Sequence, residues 1–170
     1  KVLENIPVLV RTSLNVPVAA GKITDTFRLR AALPTISYLQ KHHARVILVS
    51  HITGTGTESL RPMYEALKEF VPRLSFCETS IGPVARETIR RMVPGEVVLL
   101  ENLRRHTGEE KNDPAFAQEL ASLADVFENR VELSLWRDDL YGLIINTPNL
   151  IWQMLTKRPE NVRSMIPASW

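Results

Sequence analysis

The chain has 170 residues, with 21 lysines and arginines against 19 aspartates and glutamates and a formal net charge of +2. This length suits one domain able to bury roughly 70% of its unfolded surface, and so even a charge balance makes no case for nucleic acid or a membrane surface as partner. The lone cysteine, Cys77, excludes an internal disulfide and any cysteine-based metal or iron–sulfur centre, and no apolar run reaches the ~18 residues of a membrane span.

Residues 6–12 form an apolar run that ends in Arg11, Thr12, Ser13, Leu14 and Asn15, and they predict a first strand. Residues 26–42 carry Leu29, Ala32, Leu33, Ile36 and Leu39 at helical spacing, with Pro34 as a site for a kink. His42 and His43 close that helix, where imidazoles suit the helix dipole. A strand over 45–50 leads into His51, Ile52, Thr53 and Gly54. Residues 59–70 read as a helix, and 73–77 as a short strand with Cys77 as its buried thiol. The helix over 82–92 stops before Pro94 and Gly95. A strand over 96–101 leads into Asn102, Leu103, Arg104, Arg105 and His106. Pro114 opens a helix running to residue 123, and Asp113, Glu109 and Glu110 read as its entry charges. A weak strand over 124–128, a helix over 136–145, a strand over 150–155 and a helix over 159–166 complete the pattern.

Strands alternating with helices predict a three-layer α/β/α sandwich, a single domain 1–170 with a mainly parallel sheet of about six strands. All carboxyl ends of a parallel sheet share one edge, and ligands bind in the crevice outside it. Arg11, Asn15, His51 and Arg104 therefore gather around one opening, with Arg105 as a further candidate. Arg28, in the first turn of the first helix, is a second partner for an anion, because a guanidinium fork holds carboxylate or phosphate by two parallel hydrogen bonds. Arg30 reads as a surface charge. The opening suits a small anion.

The common nucleotide-phosphate loops, GxGxxG and GxxxxGK[ST], are absent. Gly54 to Thr57 offers backbone N–H groups to a phosphate but reads more simply as a plain loop. No HExxH or similar metal spacing and no serine-elbow motif occurs.

These residues carry a family resemblance. Residues 8–17 (VLVRTSLNVP), 21–28 (GKITDTFR), 31–36 (AALPTI), 46–51 (VILVSH), 99–104 (LLENLR), 109–113 (EEKND) and 120–125 (LASLAD) resemble, in order, the N-terminal domain of phosphoglycerate kinase. The resemblance implies a six-stranded parallel sandwich that holds 3-phosphoglycerate in a basic patch. It implies that Arg11, Asn15, His51 and Arg104 bind this substrate and that Arg28 is catalytic, stabilising the transferring phosphoryl group. It implies no cofactor on these residues: the family places Mg-ATP or Mg-ADP on a C-terminal domain that has no counterpart here.

The departures are specific. The family has aspartate at Ser13, Gly-Arg-Pro where Thr53, Gly54 and Thr55 stand, and an aromatic residue at Arg105. A substrate arginine is thus missing at Gly54, and the likeness ends near residue 128. Beyond it, residues 136–141 (WRDDLY), Thr147 with Pro148, and 155–161 (LTKRPEN) resemble a phage-associated family related to radical-SAM barrels. One cysteine cannot hold the cluster those barrels need. The tail, about 129–170, reads as a foreign helix–strand–helix unit, with Lys157 and Arg158 leaving at the carboxyl edge. Two expectations follow: a phosphoglycerate-kinase-like half, incomplete alone, or a structural chimera of two α/β fragments without ligand or activity. No signal peptide is visible, and a start at Lys1 without methionine fits a fragment or processed chain, so the cytosol is the expected compartment.

Overall fold

The computed structural model describes residues 3–19, 22–54 and 56–124. In chain order these form β1 (Pro7–Arg11), β2 (Val18–Ala19), β3 (Lys22–Ile23), α1 (Phe27–Lys41), β4 (Arg45–Val49), α2 (Arg61–Leu67), β5 (Leu74–Cys77), α3 (Gly82–Arg91), β6 (Val97–Leu100), a 3-10 turn (Leu103–Arg105), α4 (Thr107–Glu110) and α5 (Pro114–Ala121). The main sheet has the order β1-β4-β6-β5, and each pairing is parallel.

The central strands are buried on both faces, so they read as continuous apolar runs rather than alternating ones. Successive side chains still point to opposite faces. Val46, Leu48, Val97 and Leu99 join Leu29, Ile36, Met63 and Leu67 of α1 and α2 in one core cluster. Ile47, Val49, Val98 and Leu100 join Ala85, Ile89 and Leu120 of α3 and α5 in the other. Helices on both faces of a parallel sheet make the expected α/β/α sandwich.

Four strands form this sheet among the described residues, fewer than the six expected. The elements expected over 124–128, 136–145, 150–155 and 159–166 lie outside the described residues, Ala124 excepted. The small antiparallel hairpin of β2 and β3 was not legible, because two-residue strands carry no periodicity. Pro34 sits within α1, which runs unbroken from Phe27 to Lys41. α3 ends where Met92 turns extended, ahead of Pro94 and of Gly95 at φ +81°.

Polar burial organises the carboxyl edge. Glu101 and Asn102, just past β6, are 4% and 0% exposed. Glu101 accepts from the Leu60 and Asn102 backbone N–H groups at 2.8 Å each and from the Ser59 hydroxyl at 2.7 Å. Asn102 accepts from the N–H groups of Ile52 and Arg104 and donates to the Glu58 carbonyl at 3.0 Å. Together they stitch the loop after β4 to the end of β6. Gly56 sits in that loop at φ +86°, where a Cβ would lie 3.2 Å from the Arg104 carbonyl oxygen, so glycine answers both demands. Replacing Asn102 with alanine leaves buried donors and an acceptor unpaired, which costs about 3 kcal/mol. The expected result is a lower urea midpoint at unchanged slope; a midpoint equal to the parent's refutes the role of Asn102 as a staple.

Candidate anion-binding site

The ends of β1, β4 and β6 each deliver one polar side chain to the same edge. Arg11 is the last residue of β1, and the Thr12 N–H still bonds to the Val49 carbonyl at 3.0 Å, which holds the chain against β4 as it leaves the sheet. His51 follows β4 by two residues. Arg104 lies in the 3-10 turn, whose first free N–H, its own, is capped by the Asn102 side chain. The turn then feeds α4, which carries Glu109 and Glu110.

Glu109 joins two of these ends. Its carboxylate accepts from Arg11 Nη2 at 2.8 Å and from Arg104 Nε at 3.1 Å, and its side chain is only 7% exposed. Glu110 pairs with Arg104 Nη1 at 2.9 Å and is 63% exposed. Burial alone would raise the Glu109 carboxyl; the hydrogen bonds and charges of Arg11 and Arg104 outweigh it and hold the group below its ordinary value. His51 is pushed the other way, below its ordinary value, by burial first and then by Arg104, with Glu109 opposing. The shift favours the neutral imidazole, which can donate one hydrogen bond and accept another.

A second group adjoins the first through the segment that leaves β1. Arg28, the second residue of α1, donates from Nη1 to the Ser13 hydroxyl at 3.0 Å. Asn15 donates from Nδ2 to the Thr53 hydroxyl at 3.2 Å. A recess of about 420 Å³ opens there, lined by Asn15, Val16, Pro17, Asp25, Phe27 and Arg28. Phe27 is 74% exposed beside it. A serine hydroxyl can orient Arg28 but, unlike a carboxylate, leaves its charge in place.

The structure thus groups Arg11, His51 and Arg104 around Glu109, and Arg28 with Asn15 beside Ser13 and Thr53. It turns Arg105 elsewhere: its guanidinium donates to the Thr57 carbonyl at 3.0 and 3.3 Å and pairs with Glu101 at 3.2 Å, which fixes the loop. The Gly54 to Thr57 loop meets a carboxylate of its own, because the Gly56 N–H donates to Glu58 at 2.9 Å. Asp113 does cap α5, accepting from the Ala115 N–H at 2.9 Å. Glu109 and Glu110 do more than charge that helix entry, which their sequence position alone does not reveal. Arg30 stacks over Phe70 at 5.3 Å. Among the described residues no group of three or more histidine, cysteine or acidic side chains could hold a metal ion, and no helix is long and apolar enough to cross a membrane.

These features define a class: a parallel α/β/α domain whose carboxyl edge gathers arginines and a histidine around glutamates, groups that form charge-assisted bonds to anions. Comparison with known proteins narrows that class. The sequence profile of phosphoglycerate kinase matches residues 2–130, so the chain belongs to the phosphoglycerate kinase family. It is 50% identical over 133 residues to a phosphoglycerate kinase of Moorella thermoacetica, covering 75% of this chain and 34% of that protein. It is 47% identical over 138 residues to one of Chlamydia caviae, covering 74% and 34%. Among solved structures, the phosphoglycerate kinase of Pyrococcus horikoshii OT3 aligns at a TM-score of 0.66 and 30% identity, over 72% of this chain and 33% of that one. That of Coxiella burnetii aligns at 0.62 and 31% identity. The chain spans about a third of the length of the curated relatives it matches.

The Glu109 pair has a definite pH signature. A carboxyl held below its unfolded value contributes stability that is present above that value and lost as pH falls through the folded value. The parent should therefore exceed Glu109→Gln in thermal midpoint near neutral pH, and the gap should close as pH drops below the ordinary carboxyl value of 4.5. A gap that stays constant down to acid pH would show that the pair contributes nothing through its charge.

Proposed function

We propose that this chain is the 3-phosphoglycerate-binding half of a phosphoglycerate kinase. Arg11, Asn15, His51 and Arg104 would hold the acceptor, and Arg28 would stabilise the transferring phosphoryl group. One observation carries the reading: two guanidiniums from distant chain segments converge on one carboxylate, that of Glu109, an arrangement that supports a small anion being held at this edge by charge-assisted bonds. Arg28 stands in the neighbouring group and donates to a neutral hydroxyl, with Asp25 in the lining of the same recess, and its guanidinium would meet a phosphoryl oxygen gaining charge. His51, shifted toward its neutral form, would supply a hydrogen bond while adding little charge.

The described residues do not fit the family's metal–nucleotide partner, since they offer neither a phosphate loop nor a metal-ligand cluster. We assign donor binding to the part of the family's length that this chain does not span. The chain alone should then bind acceptor without turning it over, since transfer needs donor and acceptor held in line. We further propose that residues 1–170 act as one cytoplasmic domain, and that the tail beyond the family match has a separate origin, in keeping with its resemblance to the phage-associated family. A structural chimera without ligand is the competing reading. It draws support from the loop at Gly54, which lacks the family's arginine and already bonds to Glu58.

Thermal unfolding with 3-phosphoglycerate separates the two. Ligand at 100 times its dissociation constant should stabilise the chain by about 2.7 kcal/mol, and Arg104→Ala should abolish the shift. No stabilisation of the parent at any attainable concentration favours the ligand-free chimera.

A further inference from the structure

Two adjacent glutamates contact Arg104 in very different settings. Glu109 has a side chain only 7% exposed, uses both oxygens, and ties Arg104 to Arg11, which lies 98 positions before Glu109 itself. Glu110 is 63% exposed and reaches Arg104 through a single pair at 2.9 Å. Exposed pairs of that kind are weak and exchange readily, whereas a buried, doubly bonded carboxylate does not leave without stranding its partners. We propose that Glu109 is a fixed brace setting Arg11 and Arg104 side by side, and that Glu110 is a displaceable internal anion occupying Arg104 until a phosphorylated acid replaces it. This rests on reading the patch as an anion site, and it adds how that site is positioned and guarded.

The donor inventory of Arg104 supports the division. A guanidinium has five N–H groups, one on Nε and two on each Nη. Nε goes to Glu109 and Nη1 to Glu110. When Glu110 swings into solvent, the Nη1/Nη2 end of the fork is presented to the ligand while Nε stays braced. That end suits the two parallel bonds a carboxylate or phosphate accepts. Glu109 is thus a positioning residue that acts through Arg11 and Arg104.

The roles predict opposite signs. Affinity of the full chain for 3-phosphoglycerate, and separately for inorganic phosphate, would be measured by calorimetry at low salt, where such attractions are least screened. Glu110→Ala should bind about threefold tighter, because a competitor is gone. Glu109→Gln should bind about tenfold weaker with an unchanged circular dichroism spectrum, because the arginines lose their alignment although the site becomes more positive. Arg104→Ala should not bind. Equal affinity of Glu110→Ala and parent, with binding lost in Arg104→Ala, overturns the displaceable-anion role and leaves the anion site standing. Tighter binding by Glu109→Gln overturns the brace and reduces both glutamates to simple repulsion. Parent-like binding by Arg104→Ala overturns the anion-site reading and this proposal with it. If Glu109→Gln does not fold, the Glu110 arm still decides, since Glu110→Gln must reproduce the tightening of Glu110→Ala.

Discussion

The carboxyl edge depends on one buried polar pair. Glu101 carries a charge at 4% exposure, a position that is strongly unfavourable unless its oxygens are satisfied. Two backbone N–H groups, a serine hydroxyl and the Arg105 guanidinium satisfy them. Asn102 adds the N–H groups of Ile52 and Arg104 and the carbonyl of Glu58. The consequence runs outward in two directions. One arm fixes the loop over 52–60, and so the direction in which His51 and Thr53 leave β4. The other starts the 3-10 turn, and so sets where Arg104 points and where α4 begins. Arg105 belongs to this same scaffold, which is why it faces the loop and not the crevice.

Not every short ion pair here has structural weight. Glu87 bonds Arg90 and Arg91 at 2.7 and 2.6 Å, and those hydrogen bonds lower its carboxyl to about 2. Yet the three lie on the exposed face of one helix, at i,i+3 and i,i+4, where water screens the charges and the segment is already ordered. Glu109 has comparable bond lengths and a different consequence. Its side chain is only 7% exposed, and its partners come from β1 and from the turn after β6, so it links the two strand ends across the sheet edge. Burial and separation in sequence, not distance, distinguish a pair that shapes a site from one that decorates a helix.

Most of the sheet was legible because buried parallel strands are short, continuous apolar runs, and VILV at 46–49 and VVLL at 97–100 are unmistakable as such. Helix ends were legible where chemistry forces them, at Pro94 with Gly95 and at Pro114. Strand ends in turn located Arg11, His51 and Arg104, since a parallel sheet puts them on one edge whatever their side chains do. Side-chain partnership was not legible. Nothing in the spacing of Glu109 separates it from Glu110, yet one side chain is covered between two arginines and the other is mostly exposed with a single arginine partner. Glu101 and Asn102 were equally opaque: a Glu-Asn pair after a strand reads as the start of a loop, and its burial appears only once the loop over 52–60 folds back on it.

The charge balance of the site has a consequence for what can occupy it. Arg11 and Arg104 already hold carboxylates, and the loop at Gly54 spends a backbone N–H on Glu58 instead of presenting an arginine. Entry of a ligand at Arg104 would therefore be an exchange of anions, not the filling of an empty positive cavity. A singly charged carboxylate gains little from replacing Glu110, which is tethered nearby and returns at high effective concentration. A phosphate group carries about −1.5 to −2 charges near neutral pH and three acceptor oxygens, so it gains on both counts. Arg28, held by the Ser13 hydroxyl, brings positive charge to the adjoining recess without a carboxylate at that contact. On the proposed reading, internal glutamates would act as a selectivity filter: they would set a threshold that weak anions in the surroundings do not pass and a phosphorylated acid does.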